Sequence, residues 1–212
     1  IGSVVAVSVL QYGGLIWCSV FLQKEGTDPG IMMSAGITAR IFSIVLCPGV
    51  AWLGDKQGIA WILFMGGSMM TLLGMPLFAA MATNSNSFEA VVGSYGLGYG
   101  FVFAFVGMVF FVFVCELFPV EIRNAGVGLS YNIGFCCFGG FAPMIFEAAF
   151  AQHFWAPGWL LSLAGLITTM IVLLGLFWQR RGKLQLTHIR SEPYFSPCGV
   201  QKAQKGADRG AI

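Results

Sequence analysis

Charge is scarce in this chain, and so is histidine. Only 9% of its 212 residues are charged and two are histidine, whereas 57% are hydrophobic and the mean hydropathy is +0.81. A soluble domain of this length cannot bury that much apolar surface, so a single water-soluble core is excluded. The excess apolar surface must therefore face lipid.

Catalytic and metal-binding patterns are also missing. His153 and His188 both lie outside the apolar runs, and the six cysteines show neither CxxC nor Cys/His spacing. Catalysis within lipid would need clustered His or Asp side chains or a nucleophile elbow inside a span, so we expect no enzyme, cofactor, zinc site or disulfide. No selectivity-filter loop or acidic ring supports a channel, and no basic–aromatic groove points to nucleic acid.

Six long apolar runs dominate the sequence. They cover residues 2–22, 31–53, 59–82, 89–115, 125–150 and 158–178. A helix needs roughly 20 apolar residues to cross a bilayer, and backbone polar groups in lipid need internal partners. The runs lack the alternating polar face of a membrane barrel, so we predict an all-α membrane protein with six transmembrane helices within residues 1–180. The polar residues 181–212 indicate a disordered cytoplasmic tail.

The basic residues predict the orientation. Lys56 and Arg123 fall in the second and fourth connections, and seven of the eleven Lys and Arg residues follow residue 179. The positive-inside rule places these nine in the cytoplasm, with Lys24 outside and Arg40 within a span. Both ends of the chain are then cytoplasmic. Because the chain starts inside an apolar run without Met, we interpret it as a fragment.

Glycine and proline inside the runs indicate close and flexible helix packing. Gly96 and Gly100 have the small-xxx-small spacing that lets helix backbones approach in bilayers. Pro48, Pro76 and Pro143 are expected to break or bend their helices. Ordinary packing explains any single glycine, but several such helices together favour a protein that rocks between conformations.

The fourth connection carries the most specific motif, CELFPVEIRNAGVGLSYNIG, at residues 115–134. It resembles the major facilitator superfamily, and within it the metabolite:proton symporters that include proline/betaine, shikimate, citrate and 2-oxoglutarate carriers. A weaker similarity lies at residues 51–59, AWLGDKQGI, where Asp55, Lys56 and Gly58 fit the family pattern but Ala51 and Ile59 depart from it. The resemblance covers about residues 1–180 and implies helices seven to twelve of a twelve-helix fold built from 3+3 inverted repeats.

The resemblance implies a cytoplasmic gate, because a transporter of this kind rocks two six-helix halves around a central site. The candidates, all near the cytoplasmic helix ends, are Asp55, Lys56, Gly58, Glu116 and Arg123. Charged pairs there can hold one state and break in the other. The alternative is that these charges only anchor the topology in the headgroup zone.

Two ionisable residues inside the spans are candidates for direct contact with solute or protons, because a charge in the bilayer is costly. Arg40, near mid-depth of the second span, is suited to bind a carboxylate; the alternative is that it pairs with a neighbouring helix or snorkels. Glu147, near the outer end of the fifth span, is a candidate for a coupling proton or for an outer gate.

Polar and aromatic residues within the spans complete the candidate pathway. They are Gln11, Tyr12, Tyr95, Tyr99, Tyr131 and Asn132. Each tyrosine has packing or interfacial use as its alternative.

The leading hypothesis is a proton-coupled symporter of a small polar metabolite, an osmolyte or organic acid, in the plasma membrane. Its partners are the bilayer, protons, the solute and a missing amino-terminal six-helix half. The alternatives are a sugar-like facilitator, although WQRRGK rather than a PETKG-like ending follows the last span, and a six-span membrane protein that is not a transporter.

Overall fold

Six membrane-length helices account for almost all of the described structure. The computed structural model describes residues 4–116, 118 and 122–180, with the side chains of Met108, Glu116, Gln179 and Arg180 excepted. This part of the chain contains no strand. The helices are α1 (Val5–Lys24), α2 (Pro29–Gln57), α3 (Ile59–Thr83), α4 (Phe88–Cys115), α5 (Arg123–Gln152) and α6 (Ala156–Trp178). The six predicted spans are confirmed to within a few residues, whereas the predicted tail lies outside the described residues.

Short connections with specific local chemistry separate the first three helices. Asp28 caps α2, because its carboxylate accepts a hydrogen bond of 2.6 Å from the backbone N–H of Gly30, and Pro29 suits the first turn, where no N–H partner is needed. Gly58, at φ 95°, both ends α2 and precedes α3. This positive φ favours glycine and lets the chain reverse direction within one residue.

Small residues on both sides bring α2 and α4 into close contact. Gly96 and Gly100 of α4 face Ala35 and Ala39 of α2, and a Cβ at Gly100 would lie 2.7 Å from the Ala39 carbonyl oxygen. Ser43 also donates a hydrogen bond of 2.7 Å to the Gly100 carbonyl. The contact role predicted for the Gly96–Gly100 pair is confirmed.

A second close contact joins α3 and α6 in antiparallel register. A Cβ at Gly165 would lie 2.6 Å from the Thr71 nitrogen, and one at Gly74 would lie 2.8 Å from the Ser162 nitrogen. The Ser162 hydroxyl accepts a hydrogen bond of 3.1 Å from the backbone N–H of Met75. Backbones this close gain dispersion contacts that larger side chains would prevent.

Three helices contain wide π-helical turns: Leu10–Trp17 in α1, Val92–Tyr99 in α4 and Phe135–Gly140 in α5. The segment in α5 ends at a bend at Phe141, just before Pro143, which agrees with the expected break. The helices around Pro48 and Pro76 continue without interruption, so no break occurs there. A proline costs one intrahelical hydrogen bond, which a long helix packed against neighbours tolerates.

The helices differ in how far their side chains are buried. In the most apolar stretch of each helix, 67% of the residues of α1 and 65% of those of α4 are buried. The corresponding shares are 17% for α2 and 22% for α5. Helices α1 and α4 therefore form the centre of the bundle, and α2 and α5 present most of their surface outward.

Candidate functional site

Glu147 lies at the centre of a polar contact between α1 and α5. One carboxylate oxygen accepts a hydrogen bond from the Lys24 ammonium at 2.5 Å, and the other accepts one from the Trp17 indole N–H at 3.1 Å. Lys24 and Glu147 are about half exposed, whereas Trp17 is buried. Among the described residues, the Lys24–Glu147 ion pair joins two transmembrane helices, α1 and α5.

Aromatic rings surround the buried side of this contact. The rings whose centroids lie within 6.3 Å of the Trp17 centroid belong to Phe21, Phe78, Phe146 and Phe150. They come from α1, α3 and α5, so the rings join three helices at the end of the bundle that the basic-residue pattern assigns to the outside. A buried indole needs a hydrogen-bond acceptor, and here Glu147 is that acceptor.

Arg40 lies eleven residues after the start of α2, about 16 Å along the helix axis at 1.5 Å per residue. Its side chain is exposed in this six-helix unit and donates a hydrogen bond of 3.2 Å to the Gly36 carbonyl of the preceding turn. Gly36 also faces the ring of Tyr95, since a Cβ there would lie 3.7 Å from an Arg40 nitrogen and 4.0 Å from the Tyr95 hydroxyl. The structure thus brings these two predicted site residues to the same part of the α2–α4 contact.

Tyr95 and Tyr99 are buried and use their hydroxyls to bond backbone carbonyls of other helices. Tyr95 donates a hydrogen bond of 2.6 Å to the carbonyl of Leu15, inside the wide turn of α1, and its hydroxyl lies 3.1 Å from that of Ser19. Tyr99 bonds the Gly74 carbonyl in α3 at 3.2 Å. Leu15 lies in the π-helical turn of α1, whereas Gly74 lies in the regular α-helix α3, so the two hydroxyls connect α4 to both of these helices.

The other predicted pathway tyrosines meet through Phe135. Tyr131 stacks on Phe135 at 4.2 Å between centroids, and Tyr12 meets the same ring edge-on at 6.2 Å. Tyr12 also lies against Gly139, where the absence of a side chain makes room for its ring. Both tyrosines are partly exposed, so this group keeps accessible surface that Tyr95 and Tyr99 lack.

Gln11 and Asn132 lie beside this aromatic group in sequence. Gln11 is partly exposed, and Asn132 is exposed and donates a hydrogen bond of 2.8 Å to the Gly128 carbonyl one turn earlier. The assignment of all seven residues to a solute pathway remains a prediction.

The predicted cytoplasmic gate residues lie at the opposite end of the bundle. Asp55 is exposed, and the Lys56 ammonium lies 3.7 Å from the centre of the Trp52 ring, a cation–π contact rather than an ion pair. Arg123 donates a hydrogen bond of 3.3 Å to the Phe118 carbonyl. The side chain of Glu116 lies outside the described structure. The gate assignment therefore stays a prediction.

Sequence reasoning missed Lys24 and Trp17 as partners of Glu147. A signal was available, because Trp17 and Lys24 are seven residues apart and so lie on the same face of a helix. Pairing that face with α5 required the three-dimensional arrangement, since Glu147 is 123 residues from Lys24.

No group of three or more His, Cys, Asp or Glu side chains that could hold a metal ion occurs within the described residues. Five cysteines of this region have free thiols, and of these Cys18 is buried while Cys136 and Cys137 are exposed.

The six apolar helices, with polar contacts between their buried turns, define a multi-pass integral membrane protein. Over 152 residues the chain is 26% identical to the alpha-ketoglutarate permease of Escherichia coli (strain K12), which covers 68% of this chain and 33% of that protein. Over 156 residues it is 30% identical to the shikimate transporter of the same strain, which covers 72% of this chain and 35% of that protein. The chain thus spans about a third of the length of these curated relatives.

These relatives confirm the family resemblance. The chain is homologous to transporters of the major facilitator superfamily, and its six helices correspond to half of that fold. No protein-family model matches the sequence, and no solved structure matches it. Both relatives are transporters rather than enzymes, which supports a transport role for this chain.

Proposed function

We propose that this chain is the carboxy-terminal half of a proton-coupled symporter that carries a small carboxylate-bearing metabolite across the plasma membrane by alternating access. The observation that carries the proposal is similarity over more than two thirds of the chain to two transporters whose named solutes, alpha-ketoglutarate and shikimate, are both carboxylates at neutral pH. The proposal therefore defines the solute by its chemical class, a small carboxylate.

Arg40 supplies the charge that such a solute needs. A guanidinium in the middle of a span is too costly to leave in lipid, so it faces either water or protein. It binds a carboxylate through two parallel hydrogen bonds, which gives strength and fixed orientation. Among the described residues, Arg40 donates a long hydrogen bond of 3.2 Å to the Gly36 carbonyl of its own helix, and we expect its remaining N–H groups to be available to a solute.

The two bundle ends supply the gates. On the outer side, Lys24 and Trp17 hold Glu147 and thereby join α1 to α5. On the cytoplasmic side, the second gate forms between this chain and the amino-terminal half. The residues that this chain contributes to it are Asp55, Lys56, Glu116 and Arg123. In this arrangement Glu147 acts as a gate residue, because its two carboxylate oxygens hold Lys24 and Trp17 of α1.

Proteoliposome uptake by the whole carrier that contains this chain tests the proposal. With an inward proton gradient we expect accumulation of labelled 2-oxoglutarate, shikimate or another small carboxylate, and loss of that accumulation on adding a protonophore. Glucose is the uncharged control, and residues 1–212 alone should not transport. Glucose uptake without carboxylate uptake would contradict the solute class. Carboxylate uptake that ignores the proton gradient would contradict the coupling, and robust uptake by residues 1–212 alone would contradict the need for a second half.

A further inference from the structure

Ser19 of α1 has no role in the proposed solute pathway, yet its hydroxyl belongs to a compact group of three oxygen atoms. The Ser19 oxygen lies 2.7 Å from the Leu15 carbonyl oxygen and 3.1 Å from the Tyr95 hydroxyl, which itself lies 2.6 Å from the same carbonyl. Leu15 and Tyr95 are buried, whereas Ser19 is partly exposed. Ser19 is therefore the member of this three-oxygen group that keeps accessible surface.

The three-oxygen group contains two hydroxyl hydrogens, and both are used within it. Tyr95 donates to the Leu15 carbonyl, and Ser19 donates to the same carbonyl or to Tyr95. A serine oxygen also has two lone pairs. Among the described residues no donor from outside the group bonds the Ser19 oxygen, so at least one lone pair stays available. Ser19 can therefore accept a hydrogen bond but has no hydrogen to offer.

The guanidinium of Arg40 is close to this group. It extends back toward the start of α2, where it bonds the Gly36 carbonyl one turn earlier at 3.2 Å. A Cβ at Gly36 would lie 3.7 Å from the guanidinium nitrogen and 4.0 Å from the Tyr95 hydroxyl, so both groups lie next to Gly36. The positive charge and the accepting oxygen of Ser19 are thus near enough for one small organic acid to contact both.

These two neighbours favour different groups on one solute. The guanidinium binds a carboxylate. At the Ser19 end, a second carboxylate or a keto oxygen would find no donor, and an ammonium would be repelled by the charge of Arg40. A hydroxyl is a donor without charge and suits both conditions. Building on the proposed transport function, we propose that Ser19 accepts a hydrogen bond from a solute hydroxyl, so that the carrier selects small hydroxy-carboxylates over carboxylates that lack the hydroxyl.

Proteoliposome uptake of two matched solutes by the whole carrier tests this proposal. The labelled acids trans-4-hydroxycyclohexanecarboxylate and cyclohexanecarboxylate differ by a single hydroxyl. In wild type we expect the KM of the hydroxy acid to be roughly 3- to 10-fold lower, as one hydrogen bond would give. In Ser19→Ala the KM of the hydroxy acid should rise to that of cyclohexanecarboxylate, whose own KM should not change. Ser19→Thr keeps a hydroxyl and should keep the preference.

Ser68→Ala is the matched control, because the Ser68 hydroxyl is also partly exposed and also bonds a carbonyl one turn earlier, that of Phe64 in α3. Both KM values should stay at the wild-type level in this variant. Equal KM values for the two acids in wild type, a preference that Ser19→Ala leaves intact, or a preference that Ser68→Ala also abolishes would each overturn the role of Ser19 without affecting the proposed transport of carboxylates. Failure of the transport proposal differs from these results, because then no carboxylate, hydroxylated or not, would be taken up, and both proposals would be overturned.

Discussion

Arg40 is the residue for which single substitutions are most informative. If its guanidinium binds the solute carboxylate, Arg40→Ala removes a charge-assisted contact of about 1.5–3 kcal/mol, which corresponds to an increase in KM of roughly 10- to 100-fold. Arg40→Lys keeps the charge but loses the paired hydrogen bonds, so we expect an intermediate KM. Initial uptake rates of the whole carrier at varied solute concentration measure both.

Ser34→Ala is the matched control for Arg40, because the Ser34 hydroxyl also bonds only its own helix, at the Gly30 carbonyl. Its KM should equal that of wild type. If both Arg40 variants transport with the wild-type KM, Arg40 is not part of the solute site.

The Lys24–Glu147 pair is expected to affect gating more than stability. Because both side chains are about half exposed, the pair contributes only about 0–1 kcal/mol to folding. Glu147→Gln and Lys24→Gln should each increase labelling of a cysteine engineered into the outer vestibule. The double variant should match the singles, because either change alone breaks the same contact.

Two results would argue against the outer gate. One is vestibule labelling that stays at the wild-type level in both single variants. The other is a double variant whose effect equals the sum of the two singles, since additive effects indicate independent residues.

At the scale of the helices, the α3–α6 contact makes glycine necessary at one position and dispensable at another. A Cβ at Gly165 would lie 2.6 Å from the Thr71 nitrogen and 2.8 Å from the Gly67 carbonyl oxygen, both backbone atoms that cannot move aside cheaply. We expect Gly165→Ala to lower the free energy of unfolding by about 1–3 kcal/mol. Thermal unfolding of the purified protein in detergent measures the change.

Gly175→Ala, ten residues further along the same helix, is the internal comparison. Its Cβ meets open space, and alanine favours helix over glycine by about 0.5–1 kcal/mol, so its stability should be unchanged or slightly higher. Equal destabilisation by both substitutions would contradict the prediction, because it would show that the close backbone contact at Gly165 does not decide the result.

At the scale of the whole molecule, the orientation can be tested directly. The positive-inside rule places the connection around Arg123 in the cytoplasm and the one around Thr83 outside. Single cysteines near these two positions should react with an impermeant maleimide from opposite sides of sealed vesicles. Labelling of both from the same side would contradict the six-span topology.

The sequence by itself determined the number, the approximate bounds and the helical nature of the six spans, because apolar length and the need to pair backbone groups in lipid leave one solution. It also determined the family, through the motif at residues 115–134, and the contact at Gly96 and Gly100, through spacing within one helix. These features depend on neighbours in the chain.

Only the tertiary structure decided which helices meet, and at what register. The hydrogen bond from Trp17 to Glu147 and the one from Tyr95 to the Leu15 carbonyl join residues far apart in sequence. The open space at Gly175 depends on how α6 packs against the other helices. Nearly every face of these helices is apolar, so hydrophobic periodicity could not show which face would be buried. Side-chain volume and a few hydrogen bonds between helices made that choice.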